Sequence, residues 1–251
     1  MGTVLTFSIQ KGGVAKTTSC RECAAILGAR GHKVLVVDMD GQRSLTQVSY
    51  DGEPDQTIVD VLSDDCSMNE AAVHLDHYDL VAGDRNMYQV ELMADASIHE
   101  LRNRLREARE SYDYILLDAP PSLGKLQFNC IAASDYVIIP VMADLQSYNA
   151  LGVIMESVQT IRKQSKREIR ILGAFFTMYE GRSNLTRQIS EVFMEEYPEL
   201  MMETRIRQSV KAREAQAMLQ HLIDYAPRHN LTKDYEKLVD EMLQRMKGGE
   251  K

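Results

Sequence analysis

The sequence predicts an α/β protein, a doubly wound and mostly parallel sheet flanked by helices, and three observations carry that prediction. Short runs rich in Val, Ile and Leu alternate with longer stretches of helical periodicity, the pattern of a sheet covered on both faces. The first strand runs into a glycine loop that opens a helix, and two further strands end in aspartate. At 251 residues and 44% hydrophobic content, the chain is long enough to bury one sizeable core. A single domain spanning 1–251 is expected, because no repeat, low-complexity tract or Pro/Gly/Ser linker divides it. Lys247 to Lys251 reads as a frayed tail.

Strands are expected at Thr3 to Ser8, Lys33 to Asp38, Tyr78 to Ala82, Tyr114 to Asp118, Tyr136 to Met142 and Ile169 to Met178. Helices are expected near Thr17 to Arg30, Ile98 to Glu110, Ser147 to Gln164 and Leu185 to Glu195. Each is long enough for a right-handed crossover between parallel strands.

Composition narrows the function classes. A formal net charge of -8 argues against a wholly basic surface of the histone type, while leaving room for a local basic patch. The four cysteines, Cys20, Cys23, Cys66 and Cys130, do not form a secreted disulfide framework and are expected as free thiols in a reducing cytoplasm. No apolar run approaches the roughly 18 residues that span a bilayer, and the N-terminus leads directly into a strand, so a soluble, cytoplasmic protein is expected.

The chemistry concentrates in the loop Lys11-Gly12-Gly13-Val14-Ala15-Lys16-Thr17-Thr18. Gly12 and Gly13 let backbone N–H groups approach phosphate oxygens without a Cβ in the way, and the helix that follows adds the positive end of its dipole. Lys16 is placed to bridge the β- and γ-phosphates, the Thr17 hydroxyl to ligate Mg²⁺, and Thr18 to touch the α-phosphate. The common pattern has Gly where Ala15 stands. A pair of glycines after a strand is often only a turn. Lys16, Thr17 and Thr18 together at a helix start distinguish this loop from one.

Ligands of open α/β sheets gather beyond the carboxyl ends of strands, where Asp38, Asp40 and Asp118 fall. Asp118 is expected to hold the Mg²⁺ shell through water, and Asp40 to orient or deprotonate an attacking water, with a place near the metal. One such Asp alone would read as a cap or turn residue.

The run KGGVAKTT, with Lys11 opening the loop and Lys16 closing it, resembles the deviant Walker A motif of the ParA/MinD ATPases, a branch of the P-loop NTPase fold. VVDMDGQRSLTQ and YILLDAPPSLG resemble that group's second signature and its Walker B segment. DYVIIPVMAD and FFTMYEGRSNL are similar to further stretches of partition ATPases, so the resemblance runs from Thr3 to about Ala217. It implies ATP and Mg²⁺ as ligands and a homodimer around two ATP, in which Lys11 of each subunit reaches the other's phosphates. It also implies nonspecific DNA binding in the ATP state, nucleoid association, and hydrolysis stimulated by a ParB-like partner.

The stretch Thr204 to Ala215 is similar to the ParA segment that joins an adenine-side loop to basic DNA-contacting residues. By that resemblance Lys211, Arg213 and Arg205 are DNA candidates, and Thr177, Met178 and Arg207 lie near the base. Three positions depart from the family: Gly41 stands where relatives have Pro, Arg207 falls in place of the Pro of an Ile-Pro pair, and Arg43-Ser44 replaces Gly-Asn.

Rival readings are a MinD-like membrane cycle, an iron–sulfur reductase suggested by Cys20-x-x-Cys23, and a P-loop ligase or kinase acting on a small molecule. The apolar stripe Tyr235, Leu238, Val239, Met242, Leu243, Met246 would serve the first. Its polar face mixes Glu236, Asp240 and Glu241 with basic residues, which favours a helix packed on the core, with no membrane partner.

Overall fold

The computed structural model describes residues 1–92, 98–122 and 124–248. Among the described residues eight strands form one sheet in the order β3-β4-β2-β5-β1-β6-β7-β8, parallel throughout except for the β3–β4 pair at one edge. The strands are β1 (Thr3–Phe7), β2 (Val34–Asp38), β3 (Ala72–His74), β4 (Asp79–Val81), β5 (Tyr114–Asp118), β6 (Tyr136–Val141), β7 (Arg170–Tyr179) and β8 (Met201–Arg207). The helices that matter below are α1 (Lys16–Ala29), α2 (Ser44–Ser49), α3 (Ile58–Leu62), α4 (Met87–Leu92), α5 (Glu100–Ser111), α6 (Lys125–Ala133) and α7 (Leu145–Ser165). They are followed by α8 (Asn184–Glu196), α9 (Lys211–Ala217), α10 (Leu222–Tyr225) and α11 (Asn230–Gly248).

Alternation along the strands sorts the core onto two faces, since successive side chains point to opposite sides. Leu5, Phe7, Val34, Val36, Leu116 and Ile138 face the layer that holds α1 and α11. Leu35, Val37, Ile115 and Leu117 face α3, α5 and α6. Val137, Ile139, Val141 and Phe176 complete that second face beneath α7 and α8.

All six expected strands and four expected helices are present, with ends shifted by a residue or two. The structure corrects two expectations. No strand is expected after Met178, yet Met201 to Arg207, which runs into the stretch likened to an adenine-side loop, forms the edge strand β8. Lys247, assigned to a frayed tail, lies in α11, and 249–251 lie outside the described residues. The α11 stripe is buried in the core, with Tyr235, Leu238, Val239 and Met242 each at most 1% exposed, so that face is not offered to a membrane. Among the described residues no helix is long and apolar enough to cross a membrane. The four cysteines are free, and Cys20, Cys23 and Cys130 are buried.

Candidate active site

Strand register brings the phosphate loop and the acids to one edge. Phe7 pairs with Asp118 and Asp38 pairs with Asp118, so β1, β2 and β5 end level with one another. The loop leaving β1 then turns through left-handed backbone at Gly13 (φ 73°) and Ala15 (φ 56°). Glycine takes that conformation freely, whereas for Ala15 it costs about 1–2 kcal/mol. The strain falls on the residue that directly precedes α1, a common location for strain at ligand sites. Among the described residues no side chain caps α1, and no acid sits in its first turn. Its first N–H groups therefore lack a side-chain acceptor, which suits an incoming anion.

Lys16 Nζ donates to Asp118 Oδ1 at 2.8 Å, and Thr17 Oγ1 donates to Asp118 Oδ2 at 2.7 Å. Both partners of the ion pair are buried, Lys16 at 7% and Asp118 at 0% exposure. Burial works against the Lys16 charge, but Asp118 beside it more than offsets that and holds the ammonium above its usual range. Asp38, also buried, accepts from Thr46 N, Thr46 Oγ1 and Asp40 N, and so clamps the start of α2 and the turn that carries Asp40. Burial and then the neighbouring Asp118 charge push the Asp38 carboxyl up to about 6. Asp38 thus holds its neighbours in place from behind the site.

A cavity of about 340 Å³ lies over this arrangement, with Lys11 to Thr17 along one wall and Asp40, Gln42 and Ser44 along the other. Larger cavities exist, including one of about 660 Å³ between α3 and α5, but its five acids (Asp64, Asp65, Glu70, Glu107 and Glu110) outnumber its two arginines, and it lies away from the loop of Lys11 to Thr18. A second cavity of about 300 Å³ shares Ala15 with the first and includes Thr18, Met178, Arg207, Arg213 and Gln216. Thr177 is absent from that lining: it is 1% exposed and its hydroxyl donates to the Val141 carbonyl. Met178 does line the cavity, with φ 46°. Arg207 lines it too, but its guanidinium is held by Asp234 at 2.6 and 2.9 Å.

Lys11 lines the phosphate cavity, while its ammonium is bound within the same subunit by Asp144 and by Ser147 Oγ at 3.1 Å. Asp144 caps α7 by accepting from Ser147 N. Its own burial pulls the carboxyl up, but the hydrogen bond from Lys11 and that from Ser147 N–H outweigh this and hold it below its ordinary value. Sequence reasoning missed Asp144, Ser147 and Gln216. An Asp three residues ahead of a Ser at a helix start reads as a cap. Nothing in that spacing signals that it meets a lysine 133 positions earlier.

The remaining basic candidates sit around β8 and α9. Arg205 donates to Tyr179 Oη at 2.6 Å and lies over that ring, with its guanidinium carbon 4.7 Å from the centroid. Lys211 pairs with Glu214 at 2.6 Å. Arg213 is exposed on α9.

The donor set suits Mg²⁺. The Thr17 hydroxyl and the Asp118 carboxylate are adjacent hard oxygen donors, and Asp40 lines the same cavity. Among the described residues no group of three or more His, Cys, Asp or Glu could hold a metal ion by itself. An ion here would rely on substrate phosphates for the rest of its shell, as Mg²⁺ commonly does.

Comparison with known proteins agrees with this geometry. A family model described as an AAA domain matches residues 2–171. The sporulation initiation inhibitor protein Soj of Bacillus subtilis is 30% identical over 249 residues, covering 96% of this chain and 98% of Soj. An ATP complex of McdA from Cyanothece superposes with a TM-score of 0.87 at 25% identity, over 97% of this chain and 96% of that one. A structure described as cobyrinic acid a,c-diamide synthase from Mycobacterium smegmatis, with an ATP analogue and magnesium, gives 0.85 at 26%, over 99% and 97%. Family match, full-length identity and the loop from Lys11 to Thr18 converge, and the chain belongs to the ParA/Soj-type ATPases.

Proposed function

We propose that this ATPase is a nucleotide-controlled switch that positions DNA: it dimerises around two Mg-ATP, binds DNA without sequence preference in that state, and lets go after hydrolysis stimulated by a ParB-like partner. The observation that carries the reading is one cavity lined by Lys11, Lys16, Thr17 and Asp40, at the head of a helix with no side-chain cap. A relative at 30% identity, from Thermus thermophilus, is named a chromosome-partitioning ATPase, which supports DNA as the cargo.

In this reading Lys16 turns from Asp118 toward the β- and γ-phosphates, and the first N–H groups of α1 cradle them. Thr17 and Asp118 would hold Mg²⁺, which when bound would neutralise phosphate charge. Asp40, fixed by its backbone bond to Asp38, orients the attacking water. Lys11 exchanges Asp144 for the partner subunit's phosphates, so its charge reaches the transition state only when two subunits are docked. An added cation of this kind accelerates phosphoryl transfer by on the order of 10³–10⁵ in related switches.

The test is molar mass by light scattering in ADP and in ATP. Wild type should be monomeric in ADP and dimeric in ATP. Asp40→Ala should hold the dimer for hours, and Lys11→Ala should stay monomeric. A Lys11→Ala protein that dimerises with ATP as wild type does would remove Lys11 from the switch. The likeness to a named diamide synthase favours a second reading, ATP-dependent amidation of a carboxylate. ATP turnover that requires a carboxylate acceptor and an ammonia source, and ignores DNA, would favour that alternative.

A further inference from the structure

The four cations between positions 205 and 213 are not equivalent. Arg205 is engaged by Tyr179, Arg207 by Asp234 and Lys211 by Glu214. Arg213 has no hydrogen-bond or ion-pair partner among the described residues. It lines the second cavity, as do Ala15 and Thr18. Arg213 and Gln216 are three apart on α9 and so share a face. Gln216 Nε2 donates to Thr18 Oγ1 at 2.9 Å, which ties that face to the helix of the phosphate loop. The cavity also has an apolar wall of Ile206, Leu231 and Tyr235. A free guanidinium at the rim of a space that shares Ala15 with the phosphate cavity has a defined ligand chemistry, because Arg donates a planar fork to phosphate oxygens.

We propose that Arg213 contacts the bound nucleotide, donating to its α-phosphate beside Thr18, and that Gln216 is the positioning residue that keeps α9 where Arg213 can do so. The ligand class is a purine nucleoside di- or triphosphate. This rests on the reading of the phosphate cavity given above and moves Arg213 from the DNA candidates to the nucleotide site. α9 then reports nucleotide occupancy to the neighbouring surface that carries Lys211.

Calorimetric titration of the full chain with Mg-ADP separates the possibilities, since ADP avoids dimerisation. Arg213→Ala should raise the Kd about tenfold, the loss of a hydrogen bond to a charged group. Arg213→Lys should recover part of that, and Lys211→Ala should stay within twofold of wild type. Gln216→Ala should weaken ADP less, and its effect should vanish in the Arg213→Ala background, a coupling that a merely structural role would not produce. Arg213 is exposed, so its variants should keep the wild-type Tm. With ATP saturating for each variant, Arg213→Ala should still sediment with DNA. Unchanged ADP affinity in Arg213→Ala would overturn the proposal, whether or not DNA binding is lost. A wild-type protein that fails to bind ADP would overturn the nucleotide reading of the cavity itself.

Discussion

Under the proposed function, Lys16 serves both fold and chemistry. Lys16→Ala should abolish ATP binding, and it also leaves Asp118, 0% exposed, with Thr17 as its remaining side-chain donor. Removing one partner of a buried pair costs about 3–5 kcal/mol, so the variant should also melt at a lower temperature. Lys16→Arg keeps the charge while changing its shape, and should keep most of the stability while losing binding. His221 gives a prediction about acid. Burial first, then Arg21 and His77, lowers its pKa from 6.5 to about 2. The folded chain therefore refuses a proton that the unfolded chain accepts below 6.5, and stability is lost as pH falls through that range, by about 1.4 kcal/mol per pH unit. His221→Gln should flatten this loss: urea midpoints of the two proteins should converge as pH drops from 7 to 5. Parallel pH profiles would show that His221 does not contribute.

At the scale of elements, α1 is pressed against the β3–β4 turn at Gly28, where an added Cβ would lie 1.7 Å from the His77 carbonyl oxygen. That contact is backbone on backbone, so Gly28→Ala must shift α1 or the turn. Overpacking of this kind costs about 1–3 kcal/mol, more than the roughly 1 kcal/mol that Ala gains over Gly in helix propensity. Urea unfolding should show a net loss of stability; a gain would mean the turn yields freely. β8 illustrates what local pattern hides. Met201 to Arg207 carries Glu203, Arg205 and Arg207 on exposed positions, so it reads as a charged loop. It is an edge strand whose N–H groups are covered by α11: Glu241 accepts from Glu203 N and Thr204 N at 2.9 Å each, and Asp234 takes Arg207. Such cover guards a sheet edge against pairing with another chain. The central strands were legible because each is a short β-branched run buried on both faces. β8 was not, because its partners lie on a helix some 30 residues later in sequence.

For the whole molecule, the site was legible where chemistry is local and illegible where it is assembled. Lys11 to Thr18 is contiguous in sequence, and Asp40 and Asp118 close strands that the register brings to the same edge. Asp144, which holds Lys11, and Gln216, which holds Thr18, come from α7 and α9 and carry no signal of their own. These two contacts connect the phosphate loop to helices on opposite faces of the sheet. Lys211→Ala should weaken DNA binding and its salt dependence while leaving ATP-dependent dimerisation intact, since its pairing with Glu214 is a solvent-screened surface contact that a DNA phosphate can replace. The most direct test of the switch is co-sedimentation of the purified protein with random-sequence DNA in ATP, in ADP and without nucleotide, alongside anionic liposomes. Binding to DNA that requires ATP, falls with salt and persists in Asp40→Ala is the predicted result, with none to liposomes. DNA binding that is indifferent to nucleotide, or ATP-dependent binding to liposomes alone, would contradict it.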